Sequence, residues 1–386
     1  MMSADTAKLE PNPIPALEAK LREIEELERK SLTQWQLIWR DFKKHRLAVV
    51  GLVVVCLLYG IAILGEFLTP HDPLARMGLP NVPPSRIHIY DADGGLQRPF
   101  VYGYKGQRDP RTLKMEYVVD TSKKFPVYFF TRGYAYKFVG LFETDIHLFG
   151  VEEPGYIFLF GTDTLGRDLF SRTIMGTRIS TTVGLISIFF SLVLGLILGG
   201  MSALLGGTVD LVIQRIIEIM LCIPSIPLWM GLSAALPREW SPLAVYLSIT
   251  VILALQGWVH VARVVRGRFL ALKEEQFVLA SEGFGASYWY IIVRHLIPNF
   301  ISYIIVNITI SIPGAILGET SLSFLGLGLR PPVISWGVLL QGAQNLQAIA
   351  DSPWLMIPGL FVIALVLAFN FMGDGLRDAA DPYRTL

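Results

Sequence analysis

Glu218 and Glu319 stand in stretches that are otherwise apolar. An ionised group is expensive in hydrocarbon, so such a carboxylate faces a bundle interior or an aqueous cavity. Arg215 lies three residues before Glu218, on the same helical face, and can pair with it. Both carboxylates are therefore pathway candidates. The competing role is a structural ion pair or a hydrogen bond between spans. Arg167 and Asp168 precede a long apolar block. Thr162 or Asp163 suits the N-cap of a helix starting there, and Arg167 can hydrogen-bond a carboxylate across an external mouth. Arg167 and Asp168 are thus gate candidates, against local capping and interface anchoring.

No nucleophile–base or metal constellation accompanies these residues. His260 is alone in its apolar block, and His88 and His147 lack ligand-spaced partners. Cys56 and Cys222 both lie inside apolar blocks and read as buried free thiols, not as a disulfide framework. The chain has no G-x-x-x-x-G-K-[ST] phosphate loop and no Gly-Lys dipeptide at all. Any ATP chemistry must come from elsewhere.

The composition says what surrounds these residues. Of 386 residues, 52% are hydrophobic; with the 35 glycines the apolar share is about 61%, against ~45–50% in a soluble protein. Charged residues are 17%, against a usual ~25%. That much apolar surface needs lipid as its solvent. The net charge of +1 gives no global field to attract nucleic acid.

The apolar residues form about six blocks, each long enough to cross ~30 Å of hydrocarbon. They lie at 47–68, 181–205, 212–236, 244–264, 299–326 and 355–373. Pro224 and Pro227 break the third and Pro313-Gly314 the fifth; such breaks line a pathway or mark a packing kink. Gly195-x-x-x-Gly199 gives a close helix contact in the second.

The lysines and arginines orient the spans. Arg40, Lys43, Lys44 and Arg46 put the N-terminal flank in the cytoplasm, and Arg263, Arg266, Arg268, Lys273 and Arg294 do the same for the segment after the fourth span. An even count returns the C-terminus to the cytoplasm. Residues 1–46 are polar and lack a signal-peptide layout. Leu17, Leu21, Ile24 and Leu27 recur at helical spacing, and Trp35, Ile38, Trp39 and Phe42 predict an amphipathic helix on the membrane face. Residues 69–160 form an external segment. It alternates at Arg86–Tyr90 and Pro126–Phe130 and has a turn signal at Gly94-Gly95, so a small β-rich domain is expected. The fold class is thus an all-α polytopic membrane protein with a β-rich extracytoplasmic insertion between its first two spans, followed by a transmembrane domain over 161–386.

The most informative stretch is the cytoplasmic connection 265–298. Its middle is helix-forming, Gly285 suits a helix C-terminus, and Pro298 suits the start of the next span. Phe277, Val278 and Ala280 give the short helix one apolar face and no core of its own. Such a helix docks into a partner's groove, or lies flat on the membrane. Ala280, Gly285, Ile297 and Pro298 fall at the spacing of the "EAA" coupling loop, and here the chain resembles the permeases of importer-type ABC transporters. Gly161–Arg172, Gly318–Gly328, Gly373–Pro382 and Gln34–Pro73 are similar to the C-type subunit of the oligopeptide/dipeptide/nickel branch. Two positions depart from the family: Leu279 stands where it has Glu, and Ser281 where it has the second Ala.

The resemblance implies a type I importer permease fold and an inner-membrane machine of bacteria. It has a second homologous permease, two ABC ATPase subunits and an extracytoplasmic solute-binding protein. ATP and Mg2+ sit on the partner ATPases, and this chain binds no cofactor. The coupling contact falls to Phe277, Val278, Ala280, Ser281, Gly285, Ala286, Ile297 and Pro298. The cargo implied is di- or oligopeptide, with nickel chelates and oligosaccharides as alternatives. An autonomous secondary transporter should carry an internal repeat, and none is visible.

Overall fold

The computed structural model describes residues 33–90, 96–108, 110 and 115–380. The expected helix at Leu17–Leu27, the Gly94-Gly95 turn and Asp381-Pro382 lie outside them. The amphipathic helix is α1, Gln34–Lys44. It exposes Trp35 and Trp39 and buries Phe42. His45 then caps α2, Arg46–Ile63, by accepting a bond from the Ala48 N–H at 3.3 Å. Ala48, Gly51, Val55, Leu58 and Ala62 form its buried stripe. A Cβ on Gly51 would come within 2.5 Å of the Ala368 carbonyl, so backbones touch here. One turn, α3 (Gly65–Leu68), ends the first span.

The long helix α4 (Leu169–Leu205) has 37 residues, about 55 Å at 1.5 Å per residue. It starts twelve residues before the apolar block predicts, because its first turns are buried in protein and not in lipid. Ser171, Thr173, Gly176, Thr177 and Ser180 are all buried there. Next come α5 (Gly207–Cys222) and α6 (Ser225–Ala234), bent by 90° at Ile223-Pro224. The chain continues through α7 (Pro242–Leu272), α8 (Gln276–Gly283), α9 (Tyr288–Ile291), a π turn (Ile292–Leu296) and α10 (Ile297–Phe324). Two short helices, α11 (Trp336–Gln341) and α12 (Leu346–Asp351), precede α13 (Ile357–Ala380). Among the described residues five helices are long and apolar enough to span, and the bent pair makes a sixth.

Two expectations fail. The helix α10 runs unbroken through Pro313-Gly314. A proline inside a transmembrane helix is tolerated where neighbouring helices and hydroxyls hold the backbone. Cys56 and Cys222 are free but exposed, not buried. In a membrane bundle the apolar outer face meets lipid, so an apolar run does not imply a protein core.

The insertion is a four-stranded antiparallel sheet in sequence order: β1 (His88–Tyr90), β2 (Leu96–Arg108), β3 (Met115–Phe138) and β4 (Phe142–Val151). Val101, Val127 and Ile157 form its small core. It is fastened to the end of the first span. The His147 ring lies 3.0 Å from the carbonyls of both Glu66 and Tyr134. The Thr69 and Tyr134 hydroxyls are 2.6 Å apart. Arg178 on α4 forks onto the Glu66 carboxylate at 2.5 and 2.6 Å. His147 is thus structural, as its isolation predicts, and no group of three metal-ligating side chains occurs among the described residues.

His71 pins the other side of the sheet. In its Nε2-protonated tautomer it donates to the Ile157 carbonyl at 3.2 Å. Tyr156 and Phe158 crowd the ring. Loss of hydration pushes its pKa from 6.5 down to about 4. The unfolded segment therefore takes up a proton first. This contribution to stability is complete above pH 6.5 and is lost as pH falls from 6.5 toward 4. Limited proteolysis of the 69–160 segment should show protection declining across that window, and His71→Asn should flatten the decline.

Candidate functional site

The connection between α7 and α10 is organised by one inward and several outward side chains. Val278 is 1% exposed and packs with Phe269, Ile291 and Leu296. This anchors α8 to the bundle. It also corrects the expectation that Val278 reaches a partner, because its side chain is already consumed by its own core. The outward residues are Phe277, Leu279, Ala280 and above all Phe284, which is 92% exposed.

The helix ends at a tight reversal. Gly285 has φ +81°, the Ala286 N–H bonds the Ser281 carbonyl, and the Gly285 N–H bonds that of Glu282. This paired arrangement satisfies the last carbonyls of a helix and favours glycine at the left-handed position. The reversal leaves Phe284 projecting with no neighbour to cover it. Composition gives no sign of that, but a Gly marking the C-terminus is the signal that identifies the residue before it.

The remaining loop residues brace this turn. The Ser281 hydroxyl lies 2.8 Å from His295 Nε2. Ala286 and Ile297 are half-buried beneath the loop, and Pro298 starts α10. Arg266, near the end of α7, forks onto Asp210 at 2.6 and 2.5 Å. That bidentate pair ties α5 to the base of the loop; its members are 56 residues apart in sequence, so local reading misses it.

The gate candidates have local partners. Asp168 itself is the N-cap of α4, accepting from the backbone N–H groups of Phe170 and Ser171 at 3.3 and 2.9 Å. Neither Thr162 nor Asp163 caps it. Asp163 instead accepts from Arg167 Nε at 2.8 Å, and the Thr162 hydroxyl donates to the Leu79 carbonyl. Arg167 therefore braces its own loop through Nε.

The two intramembrane carboxylates separate. Glu319 is completely buried and lines no open surface. It accepts from the Ser323 and Ser335 hydroxyls at 2.8 Å each and from Ser180 at 3.5 Å. Ser180 in turn accepts the Trp336 N–H at 3.0 Å, and Trp336 Nε1 donates to the Thr173 carbonyl. Glu319 is the centre of a knot joining α4, α10 and α11, so its expected pathway role gives way to the alternative of a bond between spans. Glu218 pairs with Arg215 at 2.7 Å, as the spacing predicts, and their side chains are 54% and 68% exposed. An ion pair on an open helix face is not stable against hydrocarbon, so this face of α5 meets water or another subunit.

Known proteins resemble the chain along nearly its whole length. The family model described as binding-protein-dependent transport system inner membrane component matches residues 169–385. That of the N-terminal transmembrane domain of oligopeptide transport permease C matches 33–84. The dipeptide transport system permease protein DppC of Bacillus subtilis is 33% identical over 367 residues, covering 94% of this chain and 90% of the relative. The oligopeptide transport system permease protein OppC of the same organism is 30% identical over 365 residues, 94% of each. A solved structure of the inward-facing MetNI methionine ABC transporter covers 55% of this chain and 97% of its own, with TM-score 0.41 and 19% identity.

The knot around Glu319 yields a graded expectation. Glu319→Leu removes the acceptor for three buried hydroxyls and should cost about 2 kcal/mol or more. Glu319→Gln keeps an acceptor and should cost under about 1 kcal/mol. Thermal unfolding in detergent distinguishes the two.

Proposed function

This chain belongs to the family of binding-protein-dependent transport system inner membrane components, the permease subunits of ABC importers, and we propose that its cargo is di- and oligopeptides. Relatives named for dipeptide and oligopeptide transport align with more than nine-tenths of it, which supports that cargo. In this reading the chain supplies half of the pathway, and a second, homologous permease supplies the other. Two ATPase subunits bind ATP and Mg2+ and dock on the 265–298 loop. A solute-binding protein delivers peptide from outside. The lysine and arginine flanks support a plasma-membrane orientation with both termini in the cytoplasm.

The observation that carries the docking reading is the division of labour in α8. Val278 fixes the helix to the bundle while Phe284 is held out with nothing to cover it, and Leu279 and Phe277, the latter with one side on the His295 ring, are exposed beside it. An exposed aromatic on a rigid reversal suits a partner's apolar groove. ATP-driven closure of the ATPase pair then pulls on a helix that cannot slip against α7 or α10, and the spans follow. Gly285 keeps the reversal tight; any side chain there carries the strain of φ +81°.

Co-purification tests this. Phe284→Asp should weaken association with the ATPase subunits at least about thirtyfold, as loss of an interface hot spot does. Peptide uptake should fall to background while membrane insertion is unaffected. Gly285→Arg should do the same. Normal ATPase recovery with normal uptake in both variants would refute the docking role.

A further inference from the structure

Between α4, α6, α7 and α10 the bundle leaves a cavity of about 290 Å3. It lies deep in the spans: Gln256 is about 21 Å along α7 at 1.5 Å per residue. No Asp, Glu, Lys or Arg lines it. Three polar side chains on its wall have unspent hydrogen-bonding capacity. Gln256 Nε2 donates to the Ile223 carbonyl at 3.1 Å, the carbonyl next to the 90° bend. Gln256 Oε1 is buried and accepts no bond. Among the described residues the His260 ring and the Asn307 carboxamide have no hydrogen-bond partner, and His260 is exposed at the cavity's edge.

Three unsatisfied polar groups at this depth cannot face lipid, where each costs several kcal/mol. They meet water, cargo or the second permease, and their place on a cavity wall favours water and cargo. Their chemistry narrows the cargo. The carboxamide oxygens accept, the Asn307 amide donates, and the imidazole offers its ring nitrogens. A wall of donors and acceptors without Asp, Glu, Lys or Arg matches the N–H and C=O groups that every peptide repeats. Without a fixed charge it neither selects side chains nor traps a charged one. Trp229, Leu253 and Ile308 complete it as an apolar floor.

We infer that this cavity is a main-chain recognition site in the pathway, where Gln256, His260 and Asn307 hydrogen-bond the amides of a peptide in transit. The inference rests on the peptide-permease reading above. Gln256 is held for the task by the bend itself, since its own amide is spent on the Ile223 carbonyl and its oxygen is left for the cargo.

The test uses the complete importer, with its second permease, ATPases and solute-binding protein, reconstituted in vesicles. Cys56 and Cys222 are replaced by Ala, and a water-soluble maleimide is applied during ATP turnover. Asn307→Cys and Ser311→Cys should label, and a tripeptide substrate should slow them. Leu57→Cys, on the outer face of α2, should label at least about tenfold more slowly, as expected of a residue in hydrocarbon.

A second arm compares a tripeptide with its backbone N-methylated analogue at equal occupancy of the solute-binding protein. The unmodified importer should prefer the former by about tenfold, the worth of one well-placed hydrogen bond. Gln256→Leu and Asn307→Leu should lower tripeptide uptake per ATP hydrolysed and narrow that preference. Cysteines at 307 and 311 as inert as that at 57, or an unchanged preference in the Leu variants, would overturn the site while peptide import itself stood. An unmodified importer that takes up no peptide would overturn the parent reading, and this inference with it.

Discussion

Close contact between α4 and α7 governs the arrangement of the bundle. Lipid offers no hydrophobic drive for helices to associate, so they hold together by backbone proximity and hydrogen bonds. The inner face of α4 is built for that. Thr173, Thr177, Ser180, Gly184, Ser187, Ser191, Gly195 and Gly199 follow one another at steps of three or four and are all buried. A Cβ on Gly195 would lie 2.5 Å from Val261, and one on Gly199 would lie 2.5 Å from the Ala262 carbonyl. Gly184 makes room for Ile316 of α10 and Gly176 for Trp336 of α11. One face of one helix thus seats three neighbours. The polar cavity beside it opens where Ser187 and Ser191 replace the glycines, and the 265–298 connection hangs from the far end of α7.

Polar bonds then fix what small residues allow. Glu319 gathers three hydroxyls on the sheet side of the bundle, and Asp210 with Arg266 closes the loop side. The two carboxylates use opposite means. Glu319 has hydroxyl donors and no cation within ion-pair distance among the described residues, which suits a site sealed from water. Asp210 has a guanidinium fork at a half-open position. Removing a single partner from a buried network leaves the others unsatisfied, so each knot is cooperative.

The sequence makes the spans legible because length and apolarity alone define them. Gly195-x-x-x-Gly199 as a contact, Arg215 with Glu218 as a pair and Gly285 as a helix stop were also readable, since each is a local spacing rule. The sheet could be anticipated from alternation, although its attachment to Glu66 and Thr69 could not. What stayed hidden depends on which side of an element faces protein. The first twelve residues of α4 look too polar to be part of a span, yet most are buried, against Trp336 and against the end of the first span and the loop that follows it. Val278 and Phe284 are both apolar and six residues apart, and only the packing of α8 on Phe269 and Leu296 decides that one is an anchor and the other is presented. Pro313 reads as a break but sits inside a helix that continues through it.

The length of α4 has a mechanical consequence. It is a single uninterrupted rod, with its outer third clamped to the end of the first span through Arg178 and Glu66 and its inner third pressed on α7 at Gly195 and Gly199. Gly195 and Gly199 lie about 40–45 Å from its outer end at 1.5 Å per residue, so a tilt of about 5° about that crossing moves the outer end by about 4 Å. The glycine crossing is the natural fulcrum of such a lever, with its long arm on the side of the first span and its short arm toward the 265–298 connection.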